Sequence, residues 1–385
     1  MRSVNGGGDT SWSDWFDSQT ASIHASGQWR APRSFDAHGP VGEIDGRHVV
    51  SFASNDYLGL TSHPRVRQAA IEAAERWGTG SGASRLVVGS RPIHHDLETS
   101  IAHWRKAEAA ILFPTGFAAN LGLLATIGGP GVVIHSDELN HASIIDGCRL
   151  ARANGARVMI YPHLDRSALA ANLAHNDGVR QVVVSDTVFS MDGDVAPVGE
   201  LAAICARHHA LLIVDEAHAV LEPVPAAEMN GAIVVQVGTL SKTLGALGGF
   251  VAGPRSLIDL LVNRARTYIF TTAPSPADAG AALAAIALLQ SPEGAAMTDR
   301  LKGLVARVRP GHRSPIIPIV LGDEATALDA ARKFLDRGLL VPAIRPPTVP
   351  AGSSRLRIAL SAAHTDEQID MLIDALRSME MDGEQ

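Results

Sequence analysis

The sequence predicts an α/β fold in which a mostly parallel, seven-stranded sheet lies between helices and a smaller α+β C-terminal domain follows. Three observations predict it. Short apolar runs alternate with helical patterns through the middle of the chain. Most of these runs are continuous in Val, Ile and Leu, as in strands that are buried on both faces. After about residue 273 the pattern changes to helices with only two short strands.

The predicted domains and strands follow the chain in this order. An N-terminal arm of residues 1–50 precedes a large domain of residues 51–273, and a small domain of residues 274–385 ends the chain. In the small domain we expect an Ala/Leu-rich helix, two short strands and a closing helix from Asp366. The predicted strands cover 110–113, 132–135, 158–161, 181–185, 211–214, 233–237 and 250–252 in the large domain, and 316–321 and 355–360 in the small one.

Composition excludes several classes of protein. The 385 residues include 33 Lys and Arg against 40 Asp and Glu, and a net charge of −7 offers no basic field to nucleic acid. The two cysteines, Cys148 and Cys205, are too few for a disulfide framework and fit a reducing compartment. Residues 1–20 lack the apolar core of a secretory signal, and the apolar run 279–289 is too short to span a bilayer. We therefore expect a soluble, cytoplasmic protein with neither a nucleic-acid nor a membrane partner.

Two predicted strands end in polar residues that complement each other. Parallel α/β sheets bind ligands beyond the carboxyl ends of their strands. Lys242 lies in a Gly/Ser/Thr loop after the run 233–237, where desolvation would lower the pKa of its amine and make it a nucleophile for Schiff-base chemistry. Asp215 follows the run 211–214, and a buried carboxylate needs a cationic partner such as a protonated pyridine nitrogen. A solvated surface lysine is the commoner alternative, but the neighbouring Asp215 favours the nucleophile.

A glycine turn at 114–120 follows the first predicted strand and opens a helix. Free N–H groups and the helix dipole there suit a phosphate. Taken alone, the turn fits an ordinary helix start without a ligand better than it fits an anion site.

Three other motifs would indicate a nucleotide, metal or dinucleotide site, and their spacing or order disfavours each of them. The sequence DEAH at 215–218 matches a nucleotide-hydrolase strand only if a GxxxxGK[ST] loop precedes it, and the nearest candidate, 238–243, lacks the glycine and comes later. A metal site at His135, Asp137 and His141 is disfavoured because the spacing does not place three ligands on one face, and no metal is predicted. The segment 78–83 superficially matches a dinucleotide-binding fingerprint but follows a helical pattern, so it is interpreted as a flexible loop.

The histidines allow two interpretations. His141 would either stack on an aromatic ligand or serve as a structural histidine with satisfied hydrogen bonds. The pairs at 94–95 and 208–209 are interpreted as surface pairs at helix ends.

Taken together, the motifs resemble those of the α-oxoamine synthases, which are fold-type I enzymes dependent on pyridoxal 5′-phosphate (PLP). The resemblance runs from about residue 52 to residue 364. It rests on SNDYLGL (54–60), GTGSGASRLVVG (78–89), TGFAANLG (115–122), NHASIIDG (140–147), VFSMDGD (188–194), VDEAH (214–218), TLSKTLG (239–245) and IRPPTVPAGSSRLRIALSAAH (344–364).

The resemblance implies roles for the residues around the cofactor ring. Lys242 would hold PLP as a Schiff base and act as the base on the substrate Cα. Asp215 would pair with the pyridinium nitrogen, and His218 and Ser190 would contact the phenolic oxygen of the ring. His141 would stack on the ring face next to the substrate.

Further residues would bind the phosphate. Gly116, Phe117 and Thr239 are implied by the resemblance, together with Thr271 or Thr272 from a second subunit of a homodimer whose active sites lie at the interface.

The resemblance also implies a substrate side. Arg357 would bind the amino acid carboxylate with both arms of its guanidinium. Arg345, Thr348 and Asn55 would face the acyl group or product, and Arg30 would reach the same place from the N-terminal arm.

The segment RPPTVPAG narrows the implied activity. It favours a decarboxylative Claisen condensation of L-alanine with a pimeloyl thioester of CoA or of a carrier protein, a step of biotin biosynthesis. Relatives that use glycine typically carry an asparagine–tyrosine pair before PTVP. The alternatives are the same chemistry on glycine or another acyl-CoA, and, less favoured because Lys242 is present, a non-catalytic subunit of the same fold. One departure stands out, because the family continues DEAH with a Gly-rich stretch whereas this chain has AVLEPVP at 219–225.

Overall fold

The computed structural model of the protein describes residues 11–176, 178–226 and 228–383, with side chains up to residue 379. The predicted N-terminal arm therefore lies partly, at residues 1–10, outside the described residues. The α-helices are α1 (Trp12–Ala25), α2 (Pro64–Trp77), α3 (Pro92–Trp104), α4 (Gly116–Ile127), α5 (Ala142–Ala153), α6 (Arg166–His175), α7 (Val198–Arg207), α8 (Arg255–Arg264), α9 (Arg266–Ile269), α10 (Pro276–Leu289), α11 (Pro292–Val308), α12 (Glu324–Asp336) and α13 (Asp366–Gly383).

The strands are β1 (Phe35–His38), β2 (Val41–Ile44), β3 (Arg47–Ser51), β4 (Ala109–Phe113), β5 (Val132–Asp137), β6 (Arg157–Tyr161), β7 (Arg180–Asp186), β8 (Leu211–Asp215), β9 (Glu228–Met229), β10 (Ala232–Thr239), β11 (Gly249–Gly253), β12 (Ile316–Gly322), β13 (Leu339–Leu340), β14 (Ala343–Ile344) and β15 (Ser354–Ala359). Short 3₁₀ and π-helical turns cover Leu60–Ser62 and Arg85–Gly89.

The central sheet has the strand order β4-β11-β10-β8-β7-β5-β6, with the short β9 paired to β10. Each of the seven strands predicted for the large domain is present, and the predicted fold class is confirmed. β11 runs antiparallel to β4 and β10, whereas the pairs from β10 to β6 are all parallel. The carboxyl ends of β10, β8, β7 and β5 therefore lie side by side at one edge of the sheet.

Helices cover both faces of this sheet, which explains why its strands are apolar without alternation. On one face the core includes Leu123 of α4 and Ile144 of α5. On the other it includes Leu169 of α6 and Leu201 of α7. Alternate residues of each strand point to opposite faces, so a strand covered on both sides has no position left for water-facing residues.

The N-terminal part contains a sheet that the sequence analysis did not predict. Strands β1, β2 and β3 form an antiparallel meander, and β13 adds to β3 in parallel. A two-residue turn, Asp45-Gly46, joins β2 to β3 with φ of 51° and 74°, the left-handed values typical of tight hairpins. The Asp-Gly pair was the available signal for this hairpin.

The C-terminal part contains the two predicted strands and the predicted closing helix. β12 and β15 pair antiparallel, with Ile316 opposite Ala359. The very short β14 pairs with the other edge of β15. α10 and α13 pack into the same apolar cluster as β15. The predicted boundaries between the domains stay a prediction.

One histidine assignment is wrong. His94 is fully buried rather than on the surface. Its Nδ1 accepts the backbone N–H of Arg91, and its Nε2 lies 2.9 Å from the carbonyl oxygen of Pro274. An apolar helix face can carry a histidine when both ring nitrogens have partners, and the adjacent His95 takes the exposed position.

In the part of the chain that the structure describes, no helix combines the length and the apolar character needed to cross a membrane.

A buried ion pair between the end of α3 and the end of β8 generates a first prediction. Arg105 is buried, its Nη1 lies 3.2 Å from Oε2 of the buried Glu216, and its guanidinium lies 3.7 Å from the ring centre of Trp104. Burial raises the pKa of Glu216 while Arg105 lowers it, so the carboxylate depends on this partner. We expect Arg105→Met to lower the free energy of unfolding by about 3 kcal/mol, since it leaves a buried charge without compensation.

Urea denaturation monitored by circular dichroism measures this loss. Arg149→Met is the control, because Arg149 and Asp146 form an exposed pair whose loss costs under about 1 kcal/mol. Equal losses in the two variants would contradict the prediction.

Candidate active site

Lys242 lies in the turn that follows β10, at the carboxyl edge of the central sheet. Leu240 and Leu244 on either side of it are buried in the core and fix the turn. Lys242 Nζ lies 3.0 Å from Nε2 of His218. Burial lowers the pKa of the Lys242 amine, although the carboxylates of Asp215 and Asp186 oppose the shift. An amine with a lowered pKa is a better nucleophile at neutral pH.

Asp215 ends β8, next to β10, and is held by two donors. Its Oδ2 accepts a hydrogen bond from Asn120 Nδ2 at 2.7 Å, and its Oδ1 accepts the backbone N–H of Ala217 at 2.9 Å. Asn120 is buried in α4, and its own Oδ1 has no hydrogen-bond partner among the described residues. This arrangement fixes a buried carboxylate that can still accept a bond from a cationic ligand group.

Asp186 ends β7 and is a site residue that the sequence analysis missed. It stands beside Asp215 in the parallel register, and its Oδ2 accepts the backbone N–H of His141 at 2.8 Å. Burial, together with the charge of Asp215, raises the pKa of Asp186 well above its usual value. The rule that found Asp215, an acid at the end of an apolar run, also applies to this position.

His218 connects Lys242 to Tyr57. Its Nδ1 lies 2.5 Å from the Tyr57 hydroxyl, which in turn donates to Asn55 Oδ1 at 3.1 Å. With Nδ1–H donating to Tyr57, His218 Nε2 is free to accept from the Lys242 amine. Burial, followed by the charges of Lys242 and Arg357, lowers the pKa of His218 well below its usual value, so the ring is neutral.

Arg357 on β15 brings the C-terminal sheet to the same site. Its Nε donates to the carbonyl oxygen of Ser190 at 2.5 Å, and its Nη2 donates to Asn55 Oδ1 at 3.1 Å. These bonds fix the plane of the guanidinium and leave other N–H donors for a carboxylate. Asn55 therefore joins Arg357 to Tyr57, and through His218 to Lys242.

His141 is the N-cap residue of α5. Its Nδ1 lies 2.8 Å from Ser143 Oγ, and its ring meets the ring of Phe117 edge-on at 6.4 Å. Burial lowers the pKa of His141. The structure thus brings His141 next to the start of α4 and to Asp186, while its stacking role stays a prediction.

The glycine turn meets two other strand ends in a tight contact. Thr115 is the N-cap of α4, and its Oγ1 accepts the backbone N–H of Ala118, so the N–H groups of Gly116 and Phe117 remain for a ligand. A Cβ on Gly116 would lie 3.3 Å from Cβ of Thr239, and a Cβ on Gly249 would lie 2.4 Å from the Gly116 nitrogen. The three backbone segments pack closely around the free N–H groups at the start of α4, and we call this arrangement the cradle. A helix start of this kind can bind an anion.

The residues predicted for the acyl side form a second cluster. Arg30 Nη2 lies 3.5 Å from Thr348 Oγ1, and Arg345 donates to the carbonyl oxygens of Gly27 and Trp29. They line a cavity of about 650 Å³ together with apolar residues of α12 and β14. Asn55 lies outside this lining, with Arg357.

Thr271 and Thr272 follow α9 in the chain, and their role in the phosphate site of a second subunit stays a prediction. The sequence analysis also missed Tyr57 and Asn120. A polar residue within the apolar helical stretch 116–127 was the signal for Asn120, while nothing in the sequence relates Tyr57 to His218.

The chain is similar to proteins of one enzyme family. The family model for class I and II aminotransferases matches residues 47–376. The 8-amino-7-oxononanoate synthase of Anaeromyxobacter dehalogenans (strain 2CP-1) is 48% identical over 384 residues, covering 95% of this chain and 95% of that protein. The protein of the same name from Methylococcus capsulatus (strain Bath) is 48% identical over 354 residues, covering 86% of this chain and 89% of that one.

Two solved structures share the backbone. A serine palmitoyltransferase variant from S. paucimobilis with bound PLP–myriocin aldimine has a TM-score of 0.88 and 29% identity, covering 96% of this chain and 98% of that one. The 8-amino-7-oxononanoate synthase from Francisella tularensis has a TM-score of 0.70 and 26% identity, covering 87% of this chain and 98% of that one. Because the two carry different names, the backbone alone does not select a substrate.

The contact between Gly249 and Gly116 generates a second prediction. We expect Gly249→Ala to displace the first turn of α4 and to weaken binding of PLP, the expected phosphate ligand, by at least about tenfold. Titration of the cofactor-free protein with PLP, followed by absorbance, measures the dissociation constant.

Gly303→Ala is the control, since a Cβ at this helical position meets nothing within 4 Å. It should bind PLP as the wild type does. A folded Gly249→Ala protein with wild-type affinity would show that the close contact is not part of the cradle.

Proposed function

The chain belongs to the 8-amino-7-oxononanoate synthases of the class I and II aminotransferase family, and we propose that it condenses L-alanine with a pimeloyl thioester. The products are 8-amino-7-oxononanoate, CO₂ and the free thiol, as a step of biotin biosynthesis. The observation that carries the proposal is the position of the Lys242 amine, 3.0 Å from His218, next to Asp215 and joined by hydrogen bonds to Arg357.

The site residues fit PLP, the cofactor of this family. An amine of lowered pKa suits its aldehyde, and the buried carboxylate of Asp215 suits a protonated pyridine nitrogen. The cradle suits its phosphate, because the N–H groups of Gly116 and Phe117 at the start of α4 are free to donate and Thr239 packs beside Gly116. When bound, PLP supplies an electron sink for the bonds around the amino acid Cα.

The chain's own residues orient the amino acid and move its proton. Arg357 binds the carboxylate of alanine through the N–H groups that Ser190 and Asn55 leave free. The Lys242 amine takes the proton from Cα. His218 stays neutral beside Lys242 and so does not compete for that proton, because burial lowers its pKa well below its usual value and the charges of Lys242 and Arg357 lower it further. His141, at the start of α5 and edge-on to Phe117 of α4, contributes the wall over the PLP ring.

The acyl group enters from the side of the N-terminal arm. The cavity beside Arg30, Arg345 and Thr348 combines cationic groups with apolar side chains such as Leu328 and Ile344. This composition suits a chain that is apolar along its length and carries a carboxylate at its end, as a pimeloyl group does. The thioester is carried either on CoA or on a carrier protein.

A homodimer completes the site in this proposal. Val87 and Val88 of the π-helical turn are 72% and 69% exposed, and Phe270 is 69% exposed. The turn lies against α9, next to Phe270, so the three form an apolar surface of the kind that a second subunit covers. Thr271 and Thr272 follow Phe270 directly, which supports their assignment to the partner's phosphate site.

A cytoplasmic location is part of the same proposal. Cys148 and Cys205 are buried and unpaired, and burial raises their thiol pKa values to about 11 and about 12. Protonated, buried thiols are inert, which suits a reducing compartment but does not require one.

The product assay tests the proposed function. Incubated with labelled L-alanine and pimeloyl-CoA or a pimeloyl carrier protein, the wild type should release labelled 8-amino-7-oxononanoate. Lys242→Ala removes both the cofactor's attachment point and the base, and we expect turnover to fall by roughly 10³-fold or more.

Two controls make the outcome specific. Lys302→Ala removes a lysine in an exposed pair with Asp299 and should leave turnover unchanged. Glycine in place of alanine, or a different acyl thioester, should react more slowly. Faster turnover with either would replace the proposed substrates, and product formation by Lys242→Ala would overturn the role of the amine.

A further inference from the structure

An imidazole bridges two carboxylates at the carboxyl edge of the central sheet, where β5 and β6 end. His163 lies between β6 and α6, with Nδ1 3.0 Å from Asp137 Oδ1 and Nε2 2.9 Å from Asp194 Oδ2. Asp137 is buried at the end of β5 and also accepts the backbone N–H groups of Leu139 and Leu164. Both ring nitrogens of His163 therefore donate, and the bridge is charge-assisted.

The surroundings of His163 favour the charged ring. Burial lowers the pKa of His163, but the hydrogen bonds to the two carboxylates outweigh it and raise the pKa to about 9. The hydrogen bond from His163 lowers the pKa of Asp194, and the charges of His312 and Arg355 lower it further.

The remaining neighbours of the ring leave this charge in place. Glu138 Oε1 accepts the backbone N–H of His163, and the ring of Phe189 meets the imidazole edge-on at 4.4 Å. Tyr161, the last residue of β6, stays neutral because burial raises its pKa.

Asp194 belongs to a segment, residues 188–195, that reaches from the central sheet to the C-terminal sheet. The segment closes on itself, since the backbone N–H of Phe189 donates to the carbonyl oxygen of Asp194 at 3.0 Å. A Cβ on Gly193, whose φ is 70°, would lie 2.1 Å from the carbonyl oxygen of Ile316 on β12. The segment is thus held tightly against the C-terminal sheet.

The same segment contacts two arginines of β15. Asp192 forms an ion pair with Arg355, and the carbonyl oxygen of Ser190 accepts from Arg357 Nε at 2.5 Å. The only ion pair that joins the segment to the central sheet, among the described residues, is the one between Asp194 and His163. A displacement of the segment would move the carbonyl group that orients the Arg357 guanidinium.

We propose that His163 is a positioning residue for substrate binding: by bridging Asp137 and Asp194 it fixes the segment 188–195, and the segment holds the Arg357 guanidinium where the amino acid carboxylate binds. The proposal rests on the proposed function, in which Arg357 binds alanine. It assigns to His163 no contact with the substrate or the cofactor.

The dissociation constant for L-alanine tests this role. The constant is measured with the PLP-loaded protein, from the absorbance change on binding and without the thioester. We expect His163→Gln and Asp194→Asn each to raise it about tenfold, since each removes one charge-assisted bond. KM for the pimeloyl thioester should stay within about twofold of the wild-type value, because neither His163 nor the segment 188–195 lines the cavity proposed for the acyl group.

His63→Gln is the matched control. His63 Nε2 lies 3.1 Å from Glu293 Oε1, which is also a histidine–carboxylate pair, but it joins the start of α2 to α11, and no hydrogen bond among the described residues joins it to Arg357 or to the segment 188–195. It should leave the dissociation constant for alanine unchanged. Denaturation curves establish that each variant is folded, and Asp194→Asn serves if His163→Gln does not fold.

A double-mutant cycle with Arg357→Lys separates positioning from general destabilisation. If His163 acts through the guanidinium, His163→Gln should raise the dissociation constant for L-alanine by less than about threefold in the Arg357→Lys background. Additive effects, or an unchanged dissociation constant in a folded His163→Gln protein, would overturn the proposal. Failure of the wild type itself to form product from alanine would instead count against the proposed function.

The charge on the bridge predicts a pH dependence of stability. Because the pKa of His163 is raised from 6.5 to about 9, its stabilisation is complete below about pH 6.5 and is lost as the pH rises through about 9. We expect the difference in the free energy of unfolding between the wild type and His163→Gln to shrink over this range. A constant difference across it would show that the ring is not charged in the bridge.

Discussion

The active site depends on the removal of one amine from water at a place where two carboxylates are also buried. Lys242, Asp215 and Asp186 follow three neighbouring strands, β10, β8 and β7, so the parallel sheet itself brings them together. Burial lowers the pKa of the Lys242 amine and so favours its unprotonated form at neutral pH. Burial also makes the two carboxylates depend on specific donors, which are Asn120 for Asp215 and the His141 backbone for Asp186. The apolar strands that form the core are therefore also what gives the site its reactivity.

A continuous path of hydrogen bonds extends this arrangement to the C-terminal sheet. It runs from Lys242 through His218, Tyr57 and Asn55 to Arg357. Lys242, the proposed base, and Arg357, the proposed carboxylate-binding group, are consequently positioned relative to each other, although they lie more than a hundred residues apart in the chain. The segment 188–195 supports the same guanidinium, since the carbonyl oxygen of Ser190 accepts a hydrogen bond from its Nε.

The sequence predicted the features that depend on local pattern. The seven strands of the central sheet, and with them Lys242 and Asp215, follow from continuous apolar runs and the polar residues after them. Features that depend on distant contacts were not predictable, such as the bond between Tyr57 and His218 or the two-residue strand β13, which is too short to produce a pattern. The error at His94 has a similar origin, since its partner Pro274 lies 180 residues away. The hairpin at Asp45-Gly46 and the acid at Asp186 had recognisable signals that were overlooked.

The pairing of β3 with β13 imposes an order on biosynthesis. Val50 stands opposite Leu339 and donates its backbone N–H to the carbonyl oxygen of Gly338, so the open edge of the N-terminal meander has no partner until nearly the whole polypeptide has left the ribosome. Nascent chains carry that edge unprotected throughout elongation. Its shortness and the charged residue Arg47 at its start limit the chance that strands of neighbouring nascent chains join there.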